Sequence, residues 1–150
     1  MVQEIFIIDD DNNLKDMAER IFSSDLEYRF KKVATSKIDV ALRNIPSLII
    51  INEDTAKEDI INICQKIKEN DDNSITPIIV VSSNKDKQHR LKILSTCVEH
   101  YILTPVDEDY FYYTVINIIK LLDINRRVSP LTGLPRKCTN TNRNEEKTIK

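Results

Sequence analysis

Four short polar clusters, each directly after an aliphatic run, are where this sequence could do chemistry. Asp9, Asp10 and Asp11 follow EIFII at residues 4–8, and Asn52, Glu53 and Asp54 follow LIII at 48–51. Ser82 and Ser83 follow IIVV at 78–81, and Thr104-Pro105 follows YIL at 101–103. Carboxylates gathered beside hydroxyls and an amide make an all-oxygen donor set, which suits Mg²⁺. The competing reading is structural: strand-end Asp and Ser side chains cap the helices that follow, a role expected of Asp11, Asp54 and Ser83.

The runs themselves say how those clusters would be positioned. Short Ile- and Val-rich segments alternate with stretches of helical period, which predicts parallel βαβ units and an α/β fold with helices on both faces of the sheet. Strands are expected at Glu4 to Ile8, Tyr28 to Ala34, Leu48 to Ile51, Ile78 to Val81 and Tyr101 to Leu103. Helices are expected from Asn13 to Ser23, Lys57 to Glu69, Lys85 to Ser95 and Asp107 or Glu108 to Arg127, with a short one capped by Thr35 or Ser36. In such a sheet the loops leaving the carboxyl ends of the strands form the working crevice, so the four clusters share one edge. The last helix, roughly 30 Å long against roughly 17 Å for a five-residue strand, should overhang. It also carries a wide apolar surface: Phe111, Val115, Ile118 and Leu122 form one stripe, Tyr112, Ile116 and Ile119 widen it, and Tyr113, Leu121 and Ile124 lie elsewhere.

Composition narrows the function. At 150 residues, 41% hydrophobic and 31% charged, the chain fits one domain with a real core. Its formal charge of −2 provides no global field for nucleic acid or an anionic membrane. A single Gly excludes glycine-rich phosphate loops. Cys64, Cys97 and Cys138 lack metal-ligand or disulfide-framework spacing and read as incidental thiols. No apolar run is long enough to span a bilayer and the first residues do not read as a signal peptide, so a cytoplasmic location is expected. Residues 136–150 carry five basic side chains, two acidic ones and almost no apolar residue, and read as a disordered tail.

Taken in order and spacing, FIIDDDNNL, PSLIIINED, PIIVVSS and HYILTPVD resemble the four signature segments of response-regulator receiver domains, over residues 2 to about 124. The resemblance implies a flavodoxin-like (βα)5 fold, a doubly wound five-stranded parallel sheet of strand order 2-1-3-4-5. It implies that Asp9 and Asp10 are the metal-binding acidic pair, that Asp54 offers its backbone carbonyl to the metal, that Ser82 is the switch hydroxyl and that Tyr101 is the aromatic switch residue. Two positions depart from that pattern. Asn52 stands where the family has its phosphate-accepting Asp, and Thr104 stands where it has a Lys before Pro105. An amide oxygen is a feeble nucleophile, and a Thr cannot supply the ammonium that neutralises a phosphoryl group. The losses cancel in charge, one carboxylate going with one ammonium, so weak and optional Mg²⁺ binding at Asp9 and Asp10 is expected, with no cofactor required. Glu53, as a strand neighbour of Asn52, should point to the other face.

The stretch SPLTGLPR at 129–136 resembles the entry to GGDEF domains, the diguanylate cyclase family that makes cyclic di-GMP. Together these resemblances imply a receiver-like domain over 1–127, a linker or tail over 128–150, and a non-enzymatic pseudo-receiver that acts as an input or dimerisation module. Its partners would be proteins, namely a second copy, a sensor kinase or an output domain, met through the face from the fourth strand to the last helix. His89, Arg90, Tyr101 and the exposed apolar residues of the last helix would carry the contacts. The alternative is a phosphorelay receiver phosphorylated at a non-standard residue such as Glu53. A nucleic-acid role through the basic tail is the weakest reading.

Overall fold

Alternation along each aliphatic run divides the core into two layers. The computed structural model describes residues 2–96 and 98–128. The strands are β1 (Gln3–Ile8), β2 (Tyr28–Val33), β3 (Leu48–Asn52), β4 (Ile78–Ser82) and β5 (His100–Leu103). The helices are α1 (Asn13–Ile21), α2 (Ile38–Ala41, entered through a 3₁₀ turn at Thr35–Lys37), α3 (Ile60–Glu69), α4 (Lys87–Leu94) and α5 (Glu108–Val128). All strand pairs are parallel, in the order β2-β1-β3-β4-β5. This is the doubly wound, flavodoxin-like sheet expected from the sequence.

In β1, β3 and β4, Ile5, Ile7, Leu48, Ile50, Ile79 and Val81 pack under α1 and α5. Their neighbours Phe6, Ile8, Ile49, Ile51, Ile78 and Val80 pack under α2, α3 and α4. Every one of these side chains is buried, each contributing about 1.5–3 kcal/mol relative to exposure. A run such as Leu48-Ile49-Ile50-Ile51 is therefore apolar at every position because both faces of a central parallel strand are covered. The register Ile8↔Ile51 and Ile51↔Val80 brings the ends of β1, β3 and β4 level, which puts their exit loops side by side.

Several helix starts differ from the sequence expectation, each for a local reason. Lys57 does not begin α3; its backbone N–H is held by the Thr35 hydroxyl at 3.4 Å, and Asp59 takes the N-cap position before Ile60. Asp86, not Ser83, caps α4, accepting the His89 N–H at 2.9 Å. Thr35 does not cap the short helix: it lies inside the 3₁₀ turn, its hydroxyl oxygen accepts from Lys57 and its donors go to Asp10. Along α5, Phe111, Val115, Ile116 and Ile119 are buried, whereas Lys120, Leu121 and Asp123 are exposed. The helix thus outruns the core it covers. Cys64 is buried in the α3 layer, where desolvation pushes its thiol up to about 11, an inert packing group. The LTGLPR stretch, the basic tail, Cys97 and Cys138 lie outside the described residues.

Candidate functional site

Strand parity decides which polar side chains meet at the carboxyl edge. Asp9 continues the Ile5-Ile7 row and Asn52 continues the Leu48-Ile50 row, so both project to the α1 side of the sheet. Asp9 is fully buried. One of its oxygens accepts the Asp11 N–H at 2.9 Å and the Thr55 hydroxyl, and the other accepts the Asn52 amide N–H at 3.3 Å. The Asn52 amide oxygen in turn accepts the Asp54 N–H at 3.1 Å. Each end of the amide thus has a partner suited to one orientation alone, which fixes nitrogen toward Asp9.

Asp10 has the opposite parity and leaves this cluster. It continues the Phe6-Ile8 row and accepts the Thr35 N–H at 3.1 Å and the Thr35 hydroxyl at 2.6 Å. Burial alone would raise its pKa. The two Thr35 hydrogen bonds and the charges of Lys57 and Lys32 outweigh burial and hold the carboxyl below its ordinary value. Glu53, next to Asn52, likewise faces the α4 side, where one carboxylate oxygen meets His89 Nε2 at 2.7 Å. Its other oxygen is buried without a hydrogen-bond partner.

The remaining sequence-derived positions form the far wall. Asp54 does not cap a helix; its carboxylate accepts the Ser83 N–H and hydroxyl at 3.1 and 3.0 Å, tying the β3 exit to the β4 exit. Ser82 is fully buried, and its hydroxyl oxygen accepts the Asn84 N–H at 3.0 Å. Thr104 donates its backbone N–H to the Ser82 carbonyl at 3.0 Å, just before the cis Thr104-Pro105 bond. Tyr101 donates its hydroxyl to the Asn84 carbonyl at 2.8 Å and sets its ring edge-on to His89 at 6.4 Å. Burial raises the Tyr101 phenol pKa, with help from the Glu53 and Asp54 carboxylates and against the Ser82 hydroxyl and Arg90.

The structure therefore joins Asp9 to Asn52 and Asp54 to Ser83, and it separates Asp9 from Asp10. Among the described residues, no group of three or more His, Cys, Asp or Glu side chains gathers as a metal-holding set. Each Asp9 oxygen accepts from a donor of this chain, one of them from two and the other from Asn52 alone. Thr55 escaped sequence reading, and Thr35 was legible only as a helix cap; the folded loops bring their hydroxyls to the acids.

With this geometry the chain can be set beside known structures. Over 80% of its length it superposes on the receiver domain of a sensor histidine kinase from Pseudomonas aeruginosa, with a TM-score of 0.68, 20% identity and 99% of that chain covered. The fold is the receiver fold. That Pseudomonas domain holds a magnesium ion in its active-site cleft. A signal receiver domain from Clostridium thermocellum matches at TM-score 0.71 and 20% identity, covering 80% of this chain and 99% of that one. A chemotaxis response regulator of Vibrio cholerae matches at 0.69 and 11% identity, covering 79% and 99%. No protein-family model matches the sequence, and no curated protein does. Among the described residues no helix is long and apolar enough to cross a membrane. At the end of β3 this chain presents the Asn52 amide, bonded to the buried Asp9 carboxylate.

Proposed function

We propose that this chain is a receiver-fold signalling module that is not phosphorylated and that acts through protein contacts. The observation that carries the reading is the Asn52 amide, oriented with its N–H on the buried Asp9 carboxylate. A phosphoryl acceptor must present a free, electron-rich oxygen to phosphorus. The pocket instead presents a donor N–H already in use, and Thr104 brings no cation. Glu53 is no substitute, because its carboxylate faces His89 on the opposite side of β3. The absence of a carboxylate at position 52 weighs against the phosphorelay alternative.

No cofactor is required by this reading. Mg²⁺ is at most an optional ligand, since at Asp9 it would compete with the Thr55 hydroxyl and the Asn52 amide. The Asp9 and Asp10 amide signals should stay in place, or move only at millimolar metal. The LTGLPR stretch supports placing the module ahead of a cyclic di-GMP type output, as an input or dimerisation element. The contacts are assigned to the face from β4 through α4 and β5 to α5, and a homodimer through α5 is part of the reading.

Intact-mass spectrometry after incubation with acetyl phosphate and Mg²⁺ tests it. The expected result is no added phosphoryl mass. A stoichiometric gain mapping to Glu53, Asp9 or another pocket residue would overturn the proposal and establish a rewired phosphorelay receiver.

A further inference from the structure

At the end of the sheet opposite the Asp9 cluster, four adjacent strands are each entered past an exposed apolar residue. Val2 stands one residue before β1, Leu26 two before β2, Ile45 three before β3 and Ile75 three before β4. They are 50%, 87%, 57% and 38% exposed. Backbone hydrogen bonds hold these entries side by side: the Gln3 N–H on the Glu27 carbonyl at 2.5 Å, the Ser47 N–H on the Glu4 carbonyl at 2.7 Å and the Ile49 N–H on the Pro77 carbonyl at 3.0 Å. With strands about 4.8 Å apart, the four residues are distributed over roughly 15 Å of one edge. A single exposed aliphatic side chain is ordinary, but one before each of four neighbouring strands makes a surface.

The same edge is acidic. The loops that enter β2 to β5, residues 22–27, 42–47, 70–77 and 95–99, hold five Asp or Glu against one Arg. Glu27, Asp71 and Asp72 are exposed, and among the described residues none of the three has an ion-pair partner.

Helix α5 delivers the chain to this edge. It leaves β5 at the carboxyl end and runs back across the α1 side of the sheet, where Phe111, Val115 and Ile119 are buried. From Ile119 to Val128 it advances roughly 13 Å more. The next residues, SPLTGLPRK at 129–137, set Leu131 and Leu134, each beside a Pro, ahead of Arg136 and Lys137. Residues 129–150 hold five Lys or Arg against two Glu. A short apolar stretch followed by cations is the complement of an apolar row bordered by carboxylates. Six residues of extended chain cover up to roughly 20 Å, enough to bring Leu134 back to the strand entries. Gly133, the single Gly of the chain, gives that stretch the freedom to reverse direction.

We infer that residues 130–137 fold back onto the amino-terminal end of the sheet of their own chain, with Leu131 and Leu134 packing against Val2, Ile45 and Ile75, and Arg136 and Lys137 meeting Asp71 and Asp72. The inference goes beyond the protein-contact reading above and holds whether or not the chain meets a partner or a phosphoryl donor. The short tether to α5 presents the segment at an effective concentration on the order of millimolar, so a contact too weak to hold a free peptide still closes. Seated there, the segment fixes the direction in which residues 138–150 leave the domain.

The test places a nitroxide on Cys138 of the full ¹⁵N-labelled chain, with Cys97→Ser; Cys64 is buried and stays unlabelled. The expected result is strong broadening of the amide signals of residues 43–47 and 70–77, and several-fold less broadening of Asp9–Asn13 and Thr104–Asp107 at the other end of the sheet. Leu131→Ser with Leu134→Ser should cut the broadening several-fold, and so should Arg136→Glu with Lys137→Glu. Adding Asp71→Lys and Asp72→Lys to the charge-reversed tail should restore it, an effect that loss of the fold cannot produce. A mixture of ¹⁵N-labelled chain without nitroxide and unlabelled chain with it should show no broadening. No broadening at the strand entries, broadening spread evenly over the surface, indifference to the two leucines, or failure of the restoring change would each overturn the inference. Broadening of the same loops in the mixture would assign the surface to the tail of a second copy and overturn the folding back within one chain.

Discussion

Asn52 donates its side-chain N–H to the buried carboxylate of Asp9 at 3.3 Å, and its carbonyl oxygen accepts from Asp54 on the other side. The amide works here as a neutral bridge between two exit loops. It adds a third donor to a buried carboxylate that also accepts the Asp11 N–H and the Thr55 hydroxyl.

Replacing that bridge by a carboxylate sets two anions against each other inside the fold. Asn52→Asp should cost about 1–3 kcal/mol at neutral pH, from the lost hydrogen bond and the like-charge contact. One carboxyl of the pair would be pushed toward protonation. A raised folded-state pKa of an acid makes the folded state hold its proton longer, so stability should recover as pH falls toward the carboxylate range and worsen as it rises. Added Mg²⁺ should raise the Tm of the variant more than that of the parent. Thermal melts across pH and metal check this, and a variant as stable as the parent at neutral pH would refute the bridge.

Asp10 gives a prediction of opposite sign. Its carboxyl is held below the ordinary value: burial acts against this and is overcome by Thr35, Lys57 and Lys32. A depressed folded-state pKa contributes stability that is present above the unfolded value and lost as pH falls through the folded one. Asp10→Asn should therefore lower Tm at pH 7, and the gap between variant and parent should close as the melts move to acid. A gap that stays constant with pH would mean that Asp10 contributes through shape alone.

The sheet and most of the edge could be read from the chain because period-two alternation and the order of the polar clusters are local signals. The same alternation was applied to Glu53, whose side chain does face away from Asn52. Applied to Asp9 and Asp10 it separates them as well, Asp9 with the Ile5-Ile7 row and Asp10 with the Phe6-Ile8 row. What it cannot supply is the partner of each acid. Thr35 is 25 residues from Asp10 and Thr55 is 46 from Asp9, and neither spacing has a period. The late start of α3 has the same cause, since Lys57 in the loop before it is spent on Thr35.

A second buried polar residue fixes the opposite edge of the sheet. Asn73 is fully buried, donates to the Leu42 and Asn44 carbonyls at 3.1 and 3.2 Å, and accepts the Thr76 hydroxyl at 3.0 Å. Asn73→Ala would leave those carbonyls without a donor. The expected cost is about 2–5 kcal/mol, read as a lower urea midpoint with an unchanged slope. A loss below about 0.5 kcal/mol would show that water replaces the side chain.

The Glu53 and His89 pair predicts an asymmetry between its two halves. Removing the imidazole by His89→Ala leaves a carboxylate only 18% exposed with neither oxygen partnered. Glu53→Gln keeps the shape and deletes the charge. His89→Ala should therefore be the more destabilising by about 1–3 kcal/mol, and amide exchange along Lys87–Leu94 should rise in it first. Equal effects from the two changes would mean that the contact is worth no more than surface packing.

The last helix carries the prediction about assembly. Tyr110, Tyr113 and Leu121 are 53%, 61% and 60% exposed, and their spacing sets them on one stripe together with Asn117, away from the buried Phe111-Val115-Ile119 row. In the homodimer proposed above, these three groups would meet a second copy. Leu121 is 60% exposed, so with Leu121→Glu the fold should survive with its Tm within a few degrees. In sedimentation the parent should run at twice the chain mass and the variant at the chain mass. A parent that sediments as a monomer at high concentration, or a variant that remains dimeric, would remove α5 as the pairing helix and leave α4 as the face to test.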